Sequence, residues 1–234
     1  MHKMITALIF DFDGLILETE EPVYQSWKEI YQDYNKEISL EKWLTIIGMT
    51  EEAFNPLEEL EYQVGTSLPR EQLIQKQHAR EMELVLSRPV LPGVKEYLED
   101  ARQMGLKTGL ASSSKCYWVT GHLERLGLIH YFDTIKAADD VQKTKPDPEL
   151  FNLVVEELGV PAEQVIVFED SVNGIISAKK AGLFCIWIPN MLTSQLSTDL
   201  ADMRLDSLND ISLSDLLASV KSQKTNILSR SFME

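Results

Sequence analysis

An α/β fold, built on a parallel sheet with an all-helical segment inserted after its first strand, is what the sequence predicts. Three observations carry it. Short apolar runs recur at residues 7–10, 106–111, 165–168 and 184–188, as in strands buried on both faces. From Pro89 onward these runs alternate with helical periodicity, which implies βαβ units with helices on both sides of the sheet. Between Pro22 and Arg88 the apolar spacing is helical instead.

The first run ends abruptly in Asp11 and Asp13. Their i, i+2 spacing puts both carboxylates on one side of an extended chain, with Phe12 opposite and Gly14 permitting a turn. Two acids at the end of a buried strand are costly unless a cation neutralises them, which suggests a divalent-metal site and a nucleophile. A polar strand end reaching solvent is the plainer alternative. In the insertion, Pro22 suits a first helical turn, followed by Val23, Trp27, Ile30, Tyr31 and Tyr34 at helical spacing. A second helix is expected over 40–47, capped by Ser39 and stopped near Gly48. A third starts at Asn55-Pro56 and closes at Gly65, and a fourth runs from Pro69 toward Leu86. The aromatic residues here read as the core of a small helical bundle.

Beyond Pro89, Leu91-Pro92-Gly93 turns into a helix carrying Val94, Leu98, Ala101 and Met104. The strand over 106–111 ends in Ser112-Ser113-Ser114, and a helix near 117–126 precedes a short strand near 134–137. Lys145-Pro146-Asp147-Pro148 begins a helix with Leu150, Phe151, Val154, Val155 and Leu158. The strand over 165–168 ends in Glu169-Asp170-Ser171, and its following helix reaches Ala181-Gly182. A last helix starts at Ser212, while residues 224–234 read as a disordered tail. In such a sheet, sites gather at the carboxyl ends of strands, where these polar groups fall.

Composition narrows the function. A 234-residue chain with 44% hydrophobic and 25% charged residues is an ordinary globular protein. A net charge of −15 argues against surfaces for nucleic acid or anionic lipid, so a phosphorylated substrate must be received locally by a metal and a few cations. Cys116 and Cys185 show no paired spacing, and Cys185 reads as a small buried hydrophobe, which fits a reducing, cytoplasmic setting. The residues ahead of the Asp11 strand leave no room for a signal-peptide core, and no apolar run reaches membrane-spanning length, so a soluble cytoplasmic monomer is expected. His2, His78, His122 and His130 lack metal-ligand spacing and read as surface or packing residues.

Each strand-end signal has a bland alternative: Ser112 as a helix cap, Lys145 as a solvated charge, Glu169 and Asp170 as a capping pair. Their order and combination are more specific. Asp11-Phe12-Asp13-Gly14, Ala111-Ser112-Ser113, Lys145-Pro146-Asp147-Pro148, and Glu169-Asp170-Ser171 with Asn173-Gly174 resemble the four motifs of the haloacid dehalogenase superfamily of phosphatases and phosphotransferases. The resemblance covers nearly the whole chain, and the insertion resembles the helical cap of β-phosphoglucomutase-like members. It implies a Rossmann-like core at 1–17 and 89–234 and a helical cap domain at 18–88.

The activity implied is magnesium-dependent hydrolysis of small phosphate monoesters, sugar phosphates or nucleotide-like, through an aspartyl phosphate. Carried over residue by residue, Asp11 is the nucleophile and a metal ligand, and Asp13 is the proton shuttle whose main-chain carbonyl also binds the metal. Asp170 is a further ligand, Glu169 binds the metal or one of its waters, Ser112 holds a phosphate oxygen, and Lys145 balances charge. Candidate substrate contacts are Glu20, Trp43, Gly48, Met49, Thr50, Ser113, Ser114 and Lys115, although Lys115 also reads as a solvated lysine and Trp43 as cap packing.

Two positions depart from the usual family wording: Glu18 replaces an Asp at the hinge into the cap, and Thr144 replaces a Gly before the motif lysine. The competing mutase activity needs a second phosphate site, yet residues 47–52 contain no arginine, Val23 stands where a hinge histidine is expected, and Glu58, Glu59 and Glu61 follow. The resemblance implies that true dehalogenases use no acid at the position of Asp13, since a halide leaves without a proton, so dehalogenation is not expected. A phosphate-binding regulator of receiver type would be shorter and would have no reason for the helical insertion.

Overall fold

The computed structural model describes residues 4–44, 55–196 and 198–231. The chain opens with β1 (Ala7–Phe10), whose four residues are fully buried. Four helices follow: α1 (Glu20–Asp33), α2 (Leu40–Leu44), α3 (Pro56–Val64) and α4 (Arg70–Leu86). The rest alternates through α5 (Val94–Gln103), β2 (Lys107–Ala111), α6 (Cys116–Arg125), β3 (Thr134–Lys136), α7 (Glu149–Leu158), β4 (Val165–Glu169), α8 (Val172–Lys180), β5 (Phe184–Trp187), β6 (Met203–Arg204) and α9 (Leu213–Ser231).

The six strands form one parallel sheet in the order β3-β2-β1-β4-β5-β6. The period of two in β1 divides the core. Leu8 and Phe10 face α5, α6 and α9 through Leu98, Leu123 and Leu216, whereas Ala7 and Ile9 face α7 and α8 through Val154 and Ile175. Phe10 lies level with Leu110 of β2 and Phe168 of β4. The residues just beyond all three strands therefore emerge at one height, and this register brings the acids, serine and lysine together.

The inserted helices have a core of their own, built from Trp27, Ile30, Tyr31, Trp43, Leu57, Leu60 and Leu73, which Leu192 joins from beyond β5. Tyr31 donates its hydroxyl to the carbonyl of Pro56 at 2.6 Å. Asn55 caps α3 by accepting from the N–H groups of Leu57 and Glu58, and Gly65 ends it at φ +80°, as the sequence predicts. Two linkers join this bundle to the sheet. They run side by side: Leu17 and Val90 form an antiparallel bridge, and the N–H of Leu91 donates to the carbonyl of Ile16 at 3.0 Å. Glu18 accepts the N–H of Glu21 at 3.0 Å, so the longer acid satisfies one of the free donors in the first turn of α1.

Some expected boundaries move. The helix expected over 40–47 is seen as Leu40–Leu44, and its continuation, with Gly48, Met49 and Thr50, lies outside the described residues. The helix near Lys145 starts only at Glu149, because a residue that precedes proline is pushed out of the α region, and Lys145 and Asp147 both precede one. The helix expected from Ser212 is seen as α9, Leu213–Ser231. No Gly or Pro interrupts the chain after Ser212, so nothing stops the helix. The two-residue β6 is too short to leave a period in the sequence.

Candidate active site

Asp11 is the first residue beyond β1, and its N–H continues the sheet by donating to the carbonyl of Phe168 at 3.0 Å. Its side chain meets Lys145, which reaches in from the loop before α7. The Lys145 ammonium is buried and gives all three of its protons: to Asp11 Oδ1 at 2.5 Å, Glu169 Oε1 at 2.6 Å and the carbonyl of Ala111 at 2.8 Å. Glu169 Oε2 accepts from the backbone and hydroxyl of Ser171, whose Oγ also caps α8. Asp170 accepts from Asn190 Nδ2 at 2.8 Å.

Two glycines make room for this packing. A Cβ on Gly14, which sits at φ +74°, would stand 2.3 Å from Asp170 Oδ2. One on Gly174 would lie 2.0 Å from both carboxylate oxygens of Glu169. Each contact is far inside van der Waals distance, so the turn after β1 and the start of α8 both require glycine.

Carboxylate oxygens of Asp11, Glu169 and Asp170 lie within 4.8 Å of one another, all buried, and a single lysine stands among them. Burial, followed by the charge of Glu169, raises the Asp11 carboxyl to about 8 despite Lys145, and burial with the Asp11 charge raises Asp170 well above its ordinary range. Burial alone would lower the Lys145 pKa, but Asp11 and Glu169 raise it on balance, so the ammonium stays charged. Three buried acids against one base is an excess of negative charge, and their oxygen donors suit a hard divalent cation. The donor set thus fits a divalent metal.

Asp13 faces a different set of partners. Its Oδ1 accepts from Thr19 Oγ1 at 2.9 Å and Trp118 Nε1 at 3.1 Å, and its Oδ2 from Ser112 Oγ at 3.2 Å and Ser114 Oγ at 2.7 Å. The side-chain acid cluster does not include it. Asp11 and Asp13 nevertheless open onto the same cavity, of about 740 Å³, between the strand ends and the inserted helices.

Of the remaining expected residues, Glu20, Trp43, Ser113, Ser114 and Lys115 line that cavity, and Ser112 does not. Glu20 lines it from α1, where burial and then the Asp13 charge push its carboxyl up to about 8. Ser113 lines it too, and its Oγ has no hydrogen-bond partner among the described residues. Lys115 stands at the rim, largely exposed and paired with Asp139 at 3.1 Å. Ser112 is fully buried behind Asp13, accepting the Ser114 N–H while donating to the carboxylate. Trp43 packs in the helical core beside Tyr24 and also reaches the cavity wall.

Sequence reasoning missed three sets of residues. Asn190 follows the β5 run, so the strand-end argument used for the other strands would have found it. Arg70, Ile74, Gln77, His78 and Glu81 form one face of α4 turned to the cavity, and their i+3/i+4 spacing is visible in the sequence. Trp118, inside α6, had no such signal.

The fold and site together define a capped α/β protein: an acid cluster at the ends of a parallel sheet, with inserted helices above it. A family model described as haloacid dehalogenase-like hydrolase matches residues 8–188, and the chain belongs to this family. It is a phosphomonoester hydrolase by that membership and by its relatives. The chain is 45% identical over 94% of its length, and all of the relative's, to YhcW of Bacillus subtilis, whose name carries a provisional phosphatase assignment. It is 34% identical to a phosphorylated carbohydrates phosphatase of Thermotoga maritima, over 76% of this chain and 82% of that protein. Among solved structures, β-phosphoglucomutase of Clostridium difficile is similar, with a TM-score of 0.73 and 25% identity over 96% of this chain and all of that one.

Proposed function

We propose that this protein is a magnesium-dependent phosphatase of small phosphate monoesters, sugar or polyol phosphates foremost, acting through an aspartyl phosphate on Asp11. The observation that carries the reading is the separation of the two strand-end acids. Asp11 lies in the buried charge network of Lys145, suited to a nucleophile, while Asp13 sits among rotatable hydroxyls, suited to moving a proton. The Thermotoga maritima relative, named for phosphorylated carbohydrates, supports the substrate class.

Magnesium, held by Asp11, Asp170 and the main-chain carbonyl of Asp13, with Glu169 binding it or one of its waters, would supply the positive charge that lets a carboxylate approach a phosphate dianion. Lys145 adds to that charge and holds Asp11 in place. An Asp11 oxygen attacks phosphorus as the ester P–O bond breaks, and protonated Asp13 delivers its proton to the leaving oxygen. Asp13, now a carboxylate, removes a proton from water, whose oxygen attacks the phosphorus of the aspartyl phosphate and releases inorganic phosphate. Ser112 would steady a phosphate oxygen by turning its hydroxyl away from Asp13. Ser113 and Lys115 lie where they can meet the ester, and Glu20 can accept from a sugar hydroxyl.

The mutase reading gains one observation, Arg70 on the cavity wall, but that guanidinium already holds both carboxylate oxygens of Glu61. The phosphatase reading therefore stands. We place the core at 1–17 and 89–234 and the cap at 18–88, supported by the separate core of the inserted helices. The free thiols of Cys116 and Cys185 support a cytoplasmic setting.

Phosphate release from a panel of sugar, polyol and nucleoside monophosphates tests the proposal. Turnover is expected with magnesium, lost in EDTA, and reduced at least about 10⁴-fold in D11N. With β-glucose 1-phosphate and its bisphosphate, free phosphate should form faster than glucose 6-phosphate. Retained turnover in D11N, or the opposite product order, overturns it.

A further inference from the structure

We infer that Trp118 is a positioning residue for Asp13: its indole N–H fixes the rotation of the carboxyl group so that Oδ2, not Oδ1, exchanges the proton with the leaving group. This rests on the reading of Asp13 as the proton shuttle.

Four donors converge on Asp13, and they are not equivalent. Thr19, Ser112 and Ser114 offer hydroxyls, each of which can turn about its C–O bond and accept instead of donate. The indole of Trp118 only donates. In a carboxylic acid the C=O oxygen accepts more strongly than the O–H oxygen. A donor that cannot reverse therefore selects Oδ1, which it faces, as the C=O oxygen and leaves the proton to Oδ2. There the Ser112 and Ser114 hydroxyls can serve either protonation state.

The ring is also held from the core. Its edge packs on His122, with centroids 4.3 Å apart at 77°, and His122 in turn stacks on Phe12. Val119 and Leu123 bury the same helix in the main core. Thr19, the other donor to Oδ1, lies in the linker at the start of α1, so of the two bonds to Oδ1 the indole's is the one that comes from the core.

Single-turnover phosphorylation of the enzyme by two esters provides the test. 4-Nitrophenolate leaves without a proton, whereas the alkoxide of a polyol phosphate needs one. W118F, which keeps the ring bulk and loses the N–H, should phosphorylate about tenfold more slowly with the polyol phosphate and within about twofold of wild type with 4-nitrophenyl phosphate, at unchanged KM. D13N should show the same selectivity more strongly. Equal slowing with both esters, or a change in KM alone, would mean that Trp118 merely packs or touches substrate, and would overturn the inference while leaving the shuttle reading intact. Absence of leaving-group selectivity in D13N overturns both. A second readout needs no turnover: in D13A the indole N–H resonance assigned through W118F should shift, while that of Trp187, which donates to the Asp170 carbonyl, should stay. An unmoved Trp118 signal would sink the hydrogen bond itself.

Discussion

The strand-end wall of the cavity and its helical wall hold their polar groups in opposite ways. At the strand ends, Lys145 and Glu169 are buried and each makes several hydrogen bonds, so every charge depends on its neighbours. On the helical side, pairs such as Arg70 with Glu61 and Lys42 with Glu59 lie at the surface, and the Trp43 Nε1 has no partner among the described residues. The contrast matches the two tasks. Phosphoryl transfer needs groups placed to within tenths of an ångström, which an interlocked network supplies. Choosing a leaving group needs a surface that can vary without disturbing the chemistry, and screened pairs over a separate core allow that.

The sharpest way to break the comparison is K145M. Removing the ammonium leaves Asp11 and Glu169 facing each other without compensation, so unfolding in denaturant should become easier by about 3–5 kcal/mol, along with loss of turnover. Adding E169Q should return part of the stability, which would not happen if Lys145 contributed only packing. Stability unchanged in K145M would show the network to be no tighter than the helical wall.

A smaller effect is expected at Glu20, on the boundary between the walls. Burial raises its pKa from 4.5 to about 8, so the folded state holds the proton more tightly than the unfolded chain does. Its contribution is fully present below the unfolded value and is lost as pH rises through the folded one. In EDTA, E20Q should match wild type in Tm near pH 4 and exceed it near pH 9. The reverse order would mean that the carboxylate is stabilised where it sits. The smallest effect belongs to R70A, which should leave Tm unmoved because its ion pair with Glu61 is exposed. A marked loss of stability there would give the helical wall the interdependence reserved here for the strand ends.

What could be read from sequence divides along the same line. Residues 7–10 and 165–168 are apolar throughout because both faces of the sheet are covered, and their abrupt ends at Asp11 and Glu169 mark the site. Asn190 escaped only because that rule was not applied to β5. The α4 face and Trp118 are a different matter, since a helical residue acquires such a role only once the neighbouring element is in place. Gln77, for instance, is intelligible only beside Ser26 of α1, fifty-one positions away in sequence. Glu18, a departure from the usual wording, proved to be a satisfied helix start.

The bridge between Leu17 and Val90 has a consequence for how such chains diversify. Because the way out to the helices and the way back lie one residue pair apart, everything between them can be exchanged or enlarged without altering the strand register that assembles Asp11, Ser112, Lys145 and Glu169. A graft made at that seam would carry a new selectivity onto an old reaction, provided that it replaced Val85, which α4 contributes to the main core.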